Sequence, residues 1–218
     1  GDRGAKAEAQ AGSGGIVGGA GATPTARANA DVAALIGTGG DIDANGGAIM
    51  IRSDLRNRAD ADALAVSVGA VAVGASVATA EANGSSVAES FGTITGGASL
   101  QIEADANNSA DVFAEASGGG LVAIFAHTAT ATTTPTIRAK QAGDVTVTGF
   151  VQVLADSLGQ ARAENNSVSG GIAGAGVGIA NATLSPNVTA TIASGTISAG
   201  SVLVRAQHNF GNIDTNIY

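Results

Sequence analysis

Leu100, Ile102, Ala104, Ala106, Ala110 and Val112 are spaced by twos, with Gln101, Glu103, Asp105 and Asp111 in the gaps. A period of two belongs to a pleated strand with one dry and one wet face. The apolar pair that opens this stretch recurs as Ile49/Ile51, Leu100/Ile102, Val151/Val153 and Val202/Val204, each 51 residues after the last. Glycines precede each pair: Gly46–Gly47, Gly96–Gly97, Gly149 and Gly200. A fixed interval with matching flanks marks a repeat protein. The pattern predicts repeats at about 5–56, 57–107, 108–158 and 159–209 within a single domain over 5–208, followed by an arm or cap at 210–218.

Within each repeat the alternation predicts strands and almost no helix. Ala5, Ala7, Ala9 and Ala11 alternate with Lys6, Glu8 and Gln10 before a glycine break at Gly12–Gly15. In the second repeat a Val-rich strand slips from even Val66 and Val68 to odd Val71, Val73 and Val77. That slip predicts a bulge or bend near Gly69–Ala70. Pro cannot donate to a ladder, so Pro24 predicts a bend, bulge or edge, and Pro135 and Pro186 mark breaks 51 residues apart in the third and fourth repeats. Equivalent strands are expected to stack in parallel and in register, because matching two-residue patterns then align face on face. The fold class expected is an all-β parallel β-solenoid of four repeats of about 51 residues. The spacing leaves open one wide circuit or several narrow ones per repeat; a wide, flattened circuit is preferred.

Composition explains why length matters here. Only 3% of the residues are aromatic and 33 are Gly, while the 44% hydrophobic content is dominated by Ala and Val. An alanine buries far less than the roughly 1.5–3 kcal/mol available to a Leu or Phe. Ordering the backbone still costs about 1–2 kcal/mol per residue. Long ladders and many stacked units must supply the difference.

Two segments, Thr93-Ile94-Thr95-Gly96-Gly97-Ala98-Ser99-Leu100-Gln101-Ile102-Glu103-Ala104 and Thr196-Ile197-Ser198-Ala199-Gly200-Ser201-Val202-Leu203-Val204-Arg205-Ala206, each lead into an alternating Ala run such as Ala161-Arg162-Ala163. This pattern resembles the repeat arrays of giant bacterial surface proteins of the filamentous haemagglutinin and filamentous-adhesin type. The resemblance implies a β-solenoid stalk displayed outside the cell, with no catalytic residues in the repeats.

Charge and chemistry narrow the function classes. There is no Cys, and the net charge of −8 with two lysines argues against nucleic acid or an anionic membrane as partner. No apolar span suits a transmembrane helix. Glycine-x-serine-x-glycine, P-loop and zinc-protease patterns are absent, and His127 and His208 lack a Ser-Asp framework. An enzyme is not expected.

Comparison of the outward rows puts Asp54, Asp105 and Asp156 in one column and Asp60 with Asp111 in another. Carboxylates stacked about 4.8 Å apart repel. Either a cation such as Ca²⁺ lies between them, or the columns are spread by intermediate coils or simply face water. Gly39-Gly40-Asp41-Ile42-Asp43 occurs once, so a turn is favoured over a calcium roll. The Thr128–Thr136 alternation is not sustained in the neighbouring repeats, which favours an ordinary strand over an ordered-water surface. Five Asn-x-Ser/Thr triplets fit chance in a chain rich in these residues.

The expected role is a structural section of an extracellular, cell-surface filament that self-associates through strand pairing. Phe210, Ile213, Ile217 and Tyr218 are the candidate assembly residues of the terminal arm, because neither terminus reads as a cap. The start of the chain, without Met, suggests a processed product or a section of something longer. The alternative is an adhesin section that binds a glycan or surface, stabilised by Ca²⁺ through Asp54, Asp105 and Asp156.

Overall fold

The computed structural model describes residues 4–209. The expected β-solenoid is what forms: strands run in parallel throughout, with no helix among the described residues. The first coil contains β1 (Gly4–Ala22), β2 (Thr25–Ala28), β3 (Asp31–Ile36) and β4 (Asp41–Asp43). The second contains β5 (Ala48–Ala82), β6 (Ser85–Ser90) and β7 (Thr93–Gly97). The third repeats this with β8 (Ser99–Thr133), β9 (Thr136–Ala142) and β10 (Val145–Val147). Then come β11 (Phe150–Leu184), β12 (Asn187–Ser194), β13 (Ile197–Ser198) and finally β14 (Ser201–His208).

One sheet stacks β1, β5, β8, β11 and β14, with β2 also paired to β5; β3, β6, β9 and β12 form a second, and β4, β7, β10 and β13 a third. Each 51-residue interval therefore makes one wide circuit, as preferred from the sequence. Ile51 pairs in register with Ile102, Ile102 with Val153, and Val153 with Val204. The interval of 51 holds from β5 onward, as between Asn57 and Asn108, but β1 sits 54 residues before its partner, as between Ser13 and Ser67. The surplus is taken up at two corners. Asp31 lies opposite Ser85, Asp41 opposite Thr93 and Ala48 opposite Ser99, so the extra residues fall within 37–40 and 44–47.

The 35-residue strands β5, β8 and β11 are not straight. In β5 the inward positions are odd through Ser67 and even from Ala72, and Ala65 packs in one cluster with Ala72. The parity change at Gly69–Ala70 is thus the point where the chain turns back with the same face inside. An advancing arm (48–68) is followed by a returning arm (71–82). In β11, Cβ atoms built at Gly174, Gly176 and Gly178 would lie 2.8, 2.9 and 2.9 Å from the Ser169, Ser167 and Asn165 side chains, which pairs the two arms residue by residue. The tip demands glycine: Gly15 pairs with Gly69 and Gly120 with Gly171, and a Cβ at Gly120 would meet the Gly69 carbonyl at 1.9 Å.

Two regions result, which we call the bulb and the blade. In the bulb three sheets enclose Ile51, Ile94, Leu100, Ile102, Ile137 and Val153. In the blade the two arms enclose almost nothing but alanine, such as Ala59, Ala61 and Ala63 with Ala78, Ala80 and Ala82. Methyl groups fill only a narrow gap, so a large side chain there needs room from the coils beside it. Phe125 is 1% exposed and occupies space that a Cβ at Gly74, 2.6 Å from its ring, would take away. His127 is housed under Gly178 in the same way. A polar neck separates the regions. The Asn57 side-chain amide donates to the carbonyls of Asn83 and Ala30, its oxygen accepts from the Ala30 N–H, and the Thr133 hydroxyl donates to the Gln160 carbonyl at 3.1 Å.

Candidate functional site

The outward side chains of the advancing arm carry most of the charge of the described surface. Register places Asp54, Asp105 and Asp156 in one column, as expected from the spacing. The carboxylates that gather most closely are Glu103, Asp105 and Asp156, each offering an oxygen within 4.8 Å of the others. Asp54 stands outside that group because it is engaged by Arg56, whose Nη2 lies 3.3 Å from its Oδ2. Glu103 comes from the neighbouring column, two residues along the same face, and could have been found by reading diagonals as well as columns.

The repulsion in this column is answered by guanidinium groups. Arg52 donates to Asp105 Oδ2 through Nε at 3.1 Å and Nη2 at 2.8 Å, and its Nε lies 3.8 Å from Glu103. Arg205 donates to Asp156 at 3.1 Å. Each Asp of the expected metal column thus has its own arginine. Glu103 is held above the usual carboxylate range, first by burial and then by the Asp105 charge, with Arg52 acting against both. The Oδ1 of Asp156 has no hydrogen-bond partner among the described residues. The oxygen set suits a hard divalent cation in kind, but such an ion would compete with two arginines already in contact.

A second charged column crosses the blade: Lys6, Asp60, Asp111 and Arg162 lie side by side in successive coils. Here an acidic pair is flanked by a cation on each side. Asp111 is raised by burial first and by Asp60 second, with Arg58 and Arg162 opposing. Arg58 also donates to Asp60 at 2.9 Å, and the Lys6 ammonium pairs with Glu8.

The histidines are not brought together. His127 is buried in the blade, whereas His208 lies beside Gly159 at the neck. Thr130 lies between Thr79 and Asn181, and Thr25 pairs with Thr79, so the threonine column ends at the last coil. Phe210, Ile213, Ile217 and Tyr218 lie outside the described residues.

A feature that the sequence reading missed is on the returning arm. Val71, Val73 and Val77 face outward while Ala72, Ala78 and Ala80 face inward. Size would have put valine inside; the parity slip at Gly69–Ala70 was the signal that it is outside. No protein family, curated protein or solved structure matches this chain.

Proposed function

We propose that the chain is a structural section of an extracellular, cell-surface filament, elongated by pairing of strand edges between successive units. One observation carries this reading: among the described residues, parallel, in-register ladders run from coil to coil, and most of β11 has no strand paired along its second side. β14 covers only Phe150–Ser157 of β11, so among the described residues no strand lies on the far side of β11 from Gly159 to Leu184. Asn209 engages the start of that edge, accepting from the Gly159 N–H and donating to its carbonyl at 2.9 and 3.1 Å. Open edges of this kind are templates for another chain. The resemblance to filamentous haemagglutinin and filamentous-adhesin arrays points the same way. The repeats act through stiffness rather than catalysis.

Negative-stain microscopy and fibre diffraction of the 218-residue chain test this reading. Filaments with a meridional reflection near about 4.8 Å are expected, because strands then lie across the fibre axis. Particles that never lengthen at any concentration would overturn it. A second reading, an adhesin section stabilised by Ca²⁺ that holds a glycan or surface, draws on the Glu103, Asp105 and Asp156 oxygens. The two separate on chelation. The structural reading expects unchanged melting and filament length in the presence of chelator, because arginines already offset the carboxylates. A calcium-dependent rise in melting temperature, abolished by Asp105→Asn, would favour the binding module.

A further inference from the structure

The two outer faces of the blade differ in kind. The advancing arm presents Asp60, Asp62, Asp111, Glu115, Arg162 and Glu164. The returning arm from 71 to 79, with its equivalents in the neighbouring coils, carries no Asp, Glu, Lys or Arg on its outer face. Instead Val71, Val73, Val122, Ile124, Val177 and Ile179 are 37%, 43%, 41%, 49%, 64% and 49% exposed. Contiguous apolar surface beyond a few hundred Å² on a soluble domain marks a site of association.

We infer that this face is a lateral assembly surface whose occupant is the same face of a second copy of the chain. The area fits. Nine residues of strand across four stacked coils make a plane of about 30 by 19 Å, roughly 570 Å² per copy. Pairing two such planes removes about 1,100 Å², just above the roughly 1,000 Å² that a specific interface needs. The relief fits as well. Gly21, Ala75 and Ala126 form a lane of small residues beside the ridge of Val73 and Ile124, and in the fourth coil the two exchange, with Val177 next to Ala126 and Ala175 next to Ile124. A two-fold rotation about the stacking direction lays each large residue against the small one of the same coil in the other copy. The stretch from 71 to 79 carries no charge, and Glu81 just beyond it is paired with Arg27 at 3.0 Å, so identical copies meet no unpaired like charge along this face. The geometry is that of two aligned sheets packed as a sandwich. This pairing uses a face and not an edge, so it is independent of the end-to-end reading and doubles a filament's width rather than its length.

The test compares the full wild-type chain with Val73→Asp/Ile124→Asp by sedimentation velocity and by filament width in negative stain. Both positions face outward, and retention of the β-type far-ultraviolet dichroism checks the fold. A milder pair, Val73→Thr/Ile124→Thr, keeps strand propensity should the aspartates unfold the chain. Asp62→Asn, on the opposite face, serves as control. The expected result is a wild type and a control that double in mass as concentration rises, or give filaments of double width. The Asp or Thr variants stay single, or give filaments of single width and unchanged length. A wild type that never pairs laterally overturns the inference and leaves the face to another occupant. Pairing that survives in folded Asp and Thr variants overturns it equally, as does loss of pairing only where the β signal is lost. Lengthening is scored separately from width, so failure of end-to-end growth is not mistaken for failure of the lateral contact.

Discussion

In the bulb, Ile102 and Val153 point inward from one sheet toward Ile94 and Ile137 on the other two. In the blade, Ala61 and Ala63 meet Ala78 and Ala80 across a gap that only methyl groups fill. A buried Ile or Leu contributes about 1.5–3 kcal/mol, whereas a buried methyl contributes about 0.8. The bulb therefore holds a conventional hydrophobic core in every coil. The blade depends instead on the ladders above and below it, each hydrogen bond adding a net ~0.5–1.5 kcal/mol. Removing volume damages the first region and adding volume damages the second.

This contrast can be broken by substitution. The largest effect is expected for Ile102→Ala, fully buried in the bulb, at about 2–5 kcal/mol by chemical denaturation. Ala61→Leu, also fully buried, is expected to cost about 1–3 kcal/mol, because the extra carbons force two layers apart that have no slack. If the leucine instead proves neutral, the blade is not closely packed and the contrast fails.

The smallest effect sharpens the comparison on the outer surface, where each region carries one raised carboxyl group: Glu103 beside the bulb and Asp111 on the blade. A raised folded-state value means that the native form binds the proton more tightly than the unfolded chain does. The resulting stabilisation is full below the ordinary values of 4.5 and 3.8 and is lost as pH rises through the folded ones. Relative to Glu103→Gln or Asp111→Asn, the wild type should therefore gain melting temperature as pH falls from neutrality toward that range. A relative loss over the same interval would reverse the sign and remove burial as the dominant cause.

Much of this architecture was legible in the residues. The dry face of Leu100, Ile102, Ala104 and Ala106 is buried as its period of two requires, and the 51-residue interval became the register of the ladders. The break in parity near Gly69–Ala70 was visible, but its size was not. A slip of one residue reads alike for a bulge and for a full reversal, and only the pairing of the two arms tells them apart. The acidic column was likewise visible in Asp54, Asp105 and Asp156. The choice of Glu103 over Asp54 depends on side-chain reach across a diagonal and on Arg56 engaging Asp54, neither of which column alignment encodes.

The three residues by which the first coil exceeds the others sit at the corners next to the second and third sheets, while the tip and both arms keep their alignment. Corner segments such as 37–40 can therefore change length without disturbing the stack. An epitope or enzyme tag grafted there would sit at a corner of the first coil, outside the stacked sheets, with the register of the coils beneath it unchanged.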